Sequence, residues 1–385
     1  MDITITGGTF YSKPVDSDVA EGSTVRQNSD GTYSVYKVNS WTKELSIDGW
    51  TYGDTAKEPS AEAKYGTVTY KYYDSDKKEL GSEQPTDAGS YYVKAFVAEG
   101  ADYTGLESDY VAFTIAKATD SKLTKDLTIS SWTYGQTPST PSAEAADGTI
   151  TYKYYDKDGN LLSEAPTLPG TYYVTAYVTG ATDTEDFETA KVKFTIYKPV
   201  LNAKAQKKTN TSDKITWTKV KGADGYVVYY GKCGKSMKKI ASTKKSLSTV
   251  KKHLAKGKTY KYQVKAYKVV DGKKVVIAKS FMMHAIANGY NSKYTDAKSV
   301  KVADSSITIK LNKSKKIKPS LTKCKSGKKF LSTKHAARYR YQSSDKTVAV
   351  VSASGKVSAV KTGSCKIYVC APNGVWKTVK VKVVE

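Results

Sequence analysis

Two stretches of this chain, starting 82 residues apart, are near copies: WTYGDTAKEPSAEAKYGTVTYKYYD from Trp50 and WTYGQTPSTPSAEAADGTITYKYYD from Trp132. Trp50, Pro59, Gly66 and Tyr70 recur as Trp132, Pro141, Gly148 and Tyr152, while Pro85, Gly89 and Tyr91 recur 81 residues on as Pro166, Gly170 and Tyr172. One deletion in the intervening turn accounts for the slip. Each copy closes on the same run, FTIAK at Phe113 and FTIYK at Phe194. A chain of 385 residues is too long for one ordinary core, and the copying implies a series of small domains. Length alone, at roughly 100 to 200 residues per domain, predicts two to four.

Within a copy, apolar and polar residues alternate over short runs bounded by Gly, Pro and Asp, the period of half-buried antiparallel strands. Helical periodicity is nearly absent. On this alternation Val68, Tyr70 and Tyr72 share an inward face, as do Ile150, Tyr152 and Tyr154 in the second copy, and Thr69, Lys71 and Tyr73 face outward. About seven such strands in each copy predict a β-sandwich.

The run DAGSYYV in the first copy resembles the D-x-G-x-Y sequence that immunoglobulin-like domains carry into strand F. The resemblance implies that Tyr91 is a tyrosine corner and that Val93 stands where antibody domains place a cysteine. In the second copy Gly170, Tyr172 and Val174 keep the pattern, with Leu168 in place of the aspartate. With valine replacing cysteine, apolar packing alone holds the two sheets, as in bacterial immunoglobulin-like surface repeats.

From Pro199 the pattern changes. ITWTKVKGADGYVVYY at 215–230 and LAKGKTYKYQVKAY at 254–267 resemble a fibronectin type III domain. That resemblance implies Trp217 in the core from strand B, Leu254 and Tyr260 as the leucine and corner tyrosine before strand F, and Tyr262, Val264 and Ala266 facing inward. The segment YQSSDKTVAVVSASGKVSAVKTGSCKIYVCAPNG resembles the bacterial immunoglobulin-like group 2 domain, through Ser343-Ser344-Asp345, Val348-Ala349-Val350, Gly355-Lys356-Val357 and Gly363. The closing VKVKVVE is expected to be its last strand, with Val379, Val381 and Val383 inward and Lys380 and Lys382 in water. The first 43 residues, through ITGGTF, VAEG and DGTYSV, resemble the closing rung of parallel β-helix segments in surface proteins of gut Firmicutes.

The expected fold is therefore all-β: serial immunoglobulin-like and fibronectin III-like sandwiches after a short N-terminal remnant. The divisions are 1–43, 44–118, 119–198, 199–303 and 304–385. The opening reads as mid-strand, which implies an upstream module of the same polypeptide, with the export signal and any wall anchor outside this chain.

Charge divides the chain. Residues 1–197 carry 17 basic and 30 acidic side chains, and residues 198–385 carry 45 and 7, so a net −13 adjoins a net +38. Nearly all the positive charge is lysine; the arginines are Arg26, Arg338 and Arg340. Arginine's planar fork reads guanine edges and grips phosphate in two places, whereas lysine is a hydrated point charge, so a sequence-specific nucleic-acid reader is not expected. No stretch approaches the ~18 apolar residues of a membrane span. Lysine this dense repels itself and calls for salt, a polyanion or an acidic neighbour. The candidate polyanion-contacting residues are Lys261, Lys265, Lys380 and Lys382, with an anionic wall polymer as partner; a solvated, solubilising surface is the competing account.

The outward aromatics Tyr73, Tyr92 and Phe96, then Tyr155, Tyr173 and Tyr177, are candidates for stacking on a host or plant glycan, unless cross-strand pairing covers them. His253, His284 and His335 lie in three separate contexts, without the i, i+4 pairing of a zinc helix. The acidic runs DKDGN at 156–160 and DTEDFE at 183–188 lack the further oxygens of a calcium loop, and Asp158-Gly159 reads as a hairpin turn. Cys365 and Cys370, five apart on one strand, face opposite sides, and buried thiols are expected for Cys324, Cys365 and Cys370 in preference to a bridge from Cys324. No catalytic residue, cofactor or metal is expected. The reading is a non-catalytic extracellular stalk or adhesion segment of a Gram-positive surface protein, and the alternative is a set of accessory carbohydrate- or wall-binding modules of a secreted carbohydrate-active enzyme or wall hydrolase.

Overall fold

The computed structural model describes residues 3–119 and 122–385. Strands dominate, and a single 3-10 turn, Asp16–Asp18, interrupts them among the described residues. No helix among these residues is long and apolar enough to cross a membrane. Contacts divide the chain into two compact units. One comprises 1–127, 143–151 and 176–189, the other 128–142, 152–175 and 190–385, so the division runs through the second copy.

In the first unit the N-terminal segment is a three-stranded antiparallel sheet in the order Gly8–Phe10, Tyr33–Lys37, Ser23–Gln27. The expected β-helix closing rung thus takes an antiparallel form, with parallel pairing confined to isolated bridges at Ile5↔Val19 and Lys37↔Tyr103. The second of these ties the segment to the first copy, where Asn39 donates from its side chain to the Tyr65 carbonyl at 2.9 Å.

The first copy has a main sheet in the order Trp50–Thr51, Val111–Ala116, Gly89–Val97, Val68–Tyr73, Glu79–Gly81, with Leu106–Glu107 paired to Gly89–Val97. A two-stranded sheet, Trp41–Ser46 with Ser60–Ala63, packs on it through Leu45, Trp50, Ala61, Tyr72, Val93, Ala95, Phe113 and Ile115. The Trp50 and Phe113 rings stack at 5.4 Å. The Tyr91 hydroxyl donates to the Asp87 carbonyl at 3.0 Å, the corner that the D-x-G-x-Y run implies.

The second copy repeats the strand order as Trp132–Thr133, Val192–Tyr197, Gly170–Thr179, Thr149–Tyr155, Leu161–Leu162. Trp132 stacks on Phe194 at 5.5 Å, and the Tyr172 hydroxyl donates to the Leu168 carbonyl at 3.0 Å. The corner therefore survives the loss of the aspartate, because its acceptor is main chain. Val93 and Val174, in the cysteine positions, are fully buried. Asp158-Gly159 forms the expected hairpin turn between paired Tyr155 and Leu161, with Gly159 at φ +90°.

Beyond the second copy, the second unit contains two complete sandwiches. The fibronectin III-like one faces a three-stranded sheet (Ala203–Thr209, Ser212–Trp217, Ser248–Lys251) with a larger one (Lys238–Thr243, Gly225–Lys232, Thr259–Val270, Lys273–Lys279), and Met283–Ile286 also pairs with Thr259–Val270. Trp217, Leu254, Tyr260, Tyr262, Val264 and Ala266 are buried in one core, as the resemblance implies. The Tyr260 hydroxyl accepts from the Ala255 N–H at 2.9 Å.

The C-terminal sandwich faces Ser306–Lys310, Trp376–Val384, Gly363–Cys370 and Arg340–Ser343 against Ser314–Lys316, Lys356–Ala359 and Ala349–Val351. Val379, Val381 and Val383 point inward, with Lys380 and Lys382 exposed between them. Ala297–Val302 pairs with Pro319–Lys323, and Ala297 and Val300 belong to this core, so the domain starts upstream of residue 304.

Candidate functional site

The aromatic candidates of the first copy are more enclosed than alternation implies. Tyr73 is 7% exposed, a correction to its outward placement: the Tyr110 ring stands edge-on against it at 5.0 Å and against Tyr92 at 5.8 Å. Lys77 and Lys94 place their ammonium groups 4.9 and 4.7 Å from the Tyr110 ring centre, and Lys71 and Lys94 lie over Phe96. Tyr92 and Phe96 remain half-buried. In the second copy the residue matching Tyr110 is Lys191, whose ammonium sits 3.8 Å above Tyr155. Tyr173 and Tyr177 are half-buried. Cation over ring face is an attractive arrangement in its own right, so both copies cover this sheet face from the same position with different residues.

The lysine candidates fall into two places. Lys261 and Lys265 are half-buried on Thr259–Val270, with the Lys265 ammonium 4.7 Å from the Tyr229 ring centre. Lys380 and Lys382 lie on Trp376–Val384, directly opposite Lys366 and Ser364. These residues, with Tyr368, Ser306 and Ser344, line an open groove of about 570 Å³. The groove's one carboxylate, Asp345, is occupied: Oδ1 accepts from the Thr347 amide and hydroxyl at 2.9 and 2.6 Å, and Oδ2 accepts from Gln136 at 2.7 Å. Burial pushes this carboxyl up, but those hydrogen bonds outweigh it and its pKa is lowered.

The two sandwiches of the second unit meet at a polar joint. The turn Ala371 to Val375 is buried throughout, although turns ordinarily face water. Its Pro372 carbonyl accepts from the His284 amide at 2.8 Å and its Asn373 carbonyl from the Ala205 amide at 2.9 Å. Gly374 adopts φ +86°, and a Cβ there would stand 2.2 Å from the Ala203 carbonyl oxygen, so only glycine fits. The Arg340 guanidinium donates to the carbonyls of Ala371 at 2.9 Å and Pro372 at 3.0 Å, and also to that of Met282 across the joint. Gln342 donates to Asn202 at 2.8 Å, and the Cys370 thiol faces the same Asn202 oxygen at 3.9 Å. Cys365 lies in the sandwich core, so the two cysteines do face opposite sides. Cys324 is exposed, against the expectation of a buried thiol, because it sits just past the end of Pro319–Lys323 rather than inside it; all four thiols are free.

At one edge of this joint the fold gathers residues that the sequence keeps apart. The Cys233 Sγ lies 3.5 Å from His284 Nδ1, which lies 3.1 Å from His335 Nε2. All three atoms fall within 4.8 Å of one another. Cys233 and His284 are half-buried and His335 is exposed. Burial, with His335, Arg340 and Lys261 nearby, pushes His284 down to about 4, and burial pushes the Cys233 thiol up. Successive members are 51 residues apart and come from two domains, so no short-range spacing could have revealed them.

Residues 297–383 match the family model for the bacterial Ig-like domain (group 2). No curated protein matches the chain. Among solved structures, a multi-domain fragment of titin is 13% identical, with 65% of this chain and 98% of that chain covered at a TM-score of 0.24. The FN1-FN3 domains of chicken CNTN1 are 11% identical, with 64% and 98% covered at a TM-score of 0.22. Likenesses at these scores carry no argument about the arrangement of this chain. The C-terminal segment is the part with a shown family likeness, to bacterial immunoglobulin-like domains of group 2.

Proposed function

We propose that the chain is a non-catalytic, structural segment of a modular bacterial surface protein, and that its lysine-rich second half rests on an anionic wall polymer. The observation that carries the second part is the groove bearing Lys366, Lys380 and Lys382, whose single carboxylate is already hydrogen-bonded. A ladder of ammonium groups beside serine hydroxyls suits a flexible polyphosphate, which needs charge and hydrogen-bond donors but no planar fork. The polar joint supports the structural part, since domains locked by directional hydrogen bonds transmit load without sliding.

The test is sedimentation of the full chain with purified Gram-positive walls. Binding is expected at low salt, with release as the Debye length shrinks to about 8 Å near 0.15 M. Equal binding to walls stripped of teichoic acid, or to a variant with Lys366, Lys380 and Lys382 all replaced by Gln, would overturn the polymer reading.

A further inference from the structure

Two of the three separations in the Cys233, His284 and His335 cluster match those of a metal site, and the third pair lies within 4.8 Å. Bonds of about 2.3 Å to sulfur and 2.0–2.1 Å to nitrogen, at tetrahedral angles, place S and N about 3.5–3.6 Å apart and two N atoms about 3.3–3.4 Å apart. The observed separations are 3.5 Å for Cys233–His284 and 3.1 Å for His284–His335. A hydrogen bond accounts for each distance singly, but both converge on one Nδ1, which has either one lone pair or one N–H and cannot make both in full. The rings are nearly perpendicular, at 81°, so the two imidazoles meet edge to face rather than stacked.

The frame behind the three groups is firm. Cys233 follows directly on strand Gly225–Lys232, His284 lies in Met283–Ile286 with its amide held by Pro372, and the His335 amide closes a turn onto the Ser332 carbonyl at 2.9 Å. No carboxylate belongs to the cluster, and Lys261 and Arg340 stand nearby. Positive neighbours and an absence of oxygen ligands disfavour calcium and magnesium, which bind through oxygen. They leave ions whose bond to thiolate is strong enough to outweigh the surrounding charge.

We propose that Cys233, His284 and His335 bind one thiophilic d10 ion, Zn2+ or Cu+, and that the ion clasps the fibronectin III-like domain to the C-terminal one. Binding replaces the S–H bond of Cys233 with a sulfur–metal bond and releases that proton to solvent, while His284 Nδ1 and His335 Nε2 donate lone pairs as neutral imidazoles. The exposed side, at His335, leaves room for a fourth ligand from solvent. Two ligands come from one domain and the third from the other, so the ion binds the joined arrangement more tightly than a separated one and stabilises it by mass action.

The test uses the full chain, reduced and metal-free, with Cys324→Ser to remove the exposed competing thiol. Cobalt, as a spectroscopic stand-in for zinc, is expected to bind at one equivalent, with a thiolate charge-transfer band that Cys233→Ser abolishes and Zn2+ bleaches. In a parallel anaerobic arm, Cu+ is delivered against a chromogenic chelator. Uptake of one Cu+ that excess Zn2+ fails to displace assigns the site to copper, and displacement assigns it to zinc. His335→Ala should abolish the metal-induced rise in melting temperature, read against the variant's own metal-free melting temperature because the change also removes the 3.1 Å contact with His284. Absence of both metals' uptake overturns the proposal, and so does a band that persists in Cys233→Ser or a metal-induced rise that persists in His335→Ala.

Discussion

Asp213 is wholly buried, and its Oδ2 accepts from the equally buried Tyr262 hydroxyl at 2.8 Å while Oδ1 has no partner. Burial pushes its pKa up to about 6, with the Tyr262 bond opposing, and the same cause raises Asp296 well above its usual range. Between an unfolded value near 4 and the folded value near 6, the folded chain holds a proton that the unfolded chain has released. The stabilisation is complete below about pH 4 and is lost as pH rises to about 6, a change on the order of 3 kcal/mol from Asp213 alone. Asp213→Asn keeps an acceptor for Tyr262 and removes the charge. Between pH 4 and 7 the melting temperature of the variant should fall less, or rise more, than that of the parent. The rest of the pH dependence comes from Asp296 and, with the opposite sign, from His284, whose lowered pKa adds stability as pH rises. An unchanged difference between the two profiles across this range would refute the assignment. A sequence gives no hint of this pair, since Asp213 stands in a run of lysine, serine and threonine that reads as solvated. The tyrosine corners were legible, by contrast, because the hydroxyl of Tyr91 or Tyr172 reaches main chain four residues upstream and needs no distant partner.

A strand shows how far alternation carries. On Gly363–Cys370, Cys365, Ile367 and Val369 point into the C-terminal core, as period two requires, and Cys370 faces the joint on the other side. Ile367→Ala should therefore cost roughly 2–5 kcal/mol through the cavity it leaves. Cys370→Ala, which removes one small side chain at a polar contact, should cost well under half of that in the same urea titration; equal losses would mean that the second face is core as well. The alternation that predicts this strand failed at Tyr73 for a physical reason. It assigns side chains to faces but is silent about what lies over a face, and Tyr110, supplied by the segment before Val111–Ala116, lies over this one. The match of Tyr110 with Lys191 was readable once the copies were aligned, yet only the fold shows both as covers for the same sheet.

At the scale of the molecule, serial sandwiches were legible because each carries its own local signature, whereas the joint was not, because its parts are single residues scattered over residues 202–374. CAPNGVW reads as an ordinary hairpin turn, and only burial marks it as a plug. Arg340 is the centre of that joint, with burial lowering its pKa and three main-chain carbonyls sharing its hydrogens. Replacing it with Ala leaves those carbonyls without their donor, a loss of roughly 3 kcal/mol. The loss should fall on the coupling between domains more than on either core. In calorimetry, the two sandwiches of the second unit should unfold in one transition in the parent chain and in two in Arg340→Ala. Gly374→Ala attacks the same joint from the turn, where a Cβ would meet the Ala203 carbonyl, and should produce the same splitting without touching any charge. If the parent itself melts in two transitions, the joint carries no coupling and the two domains are independent, and if both variants keep the parent's single transition, the coupling does not run through Arg340 and Gly374.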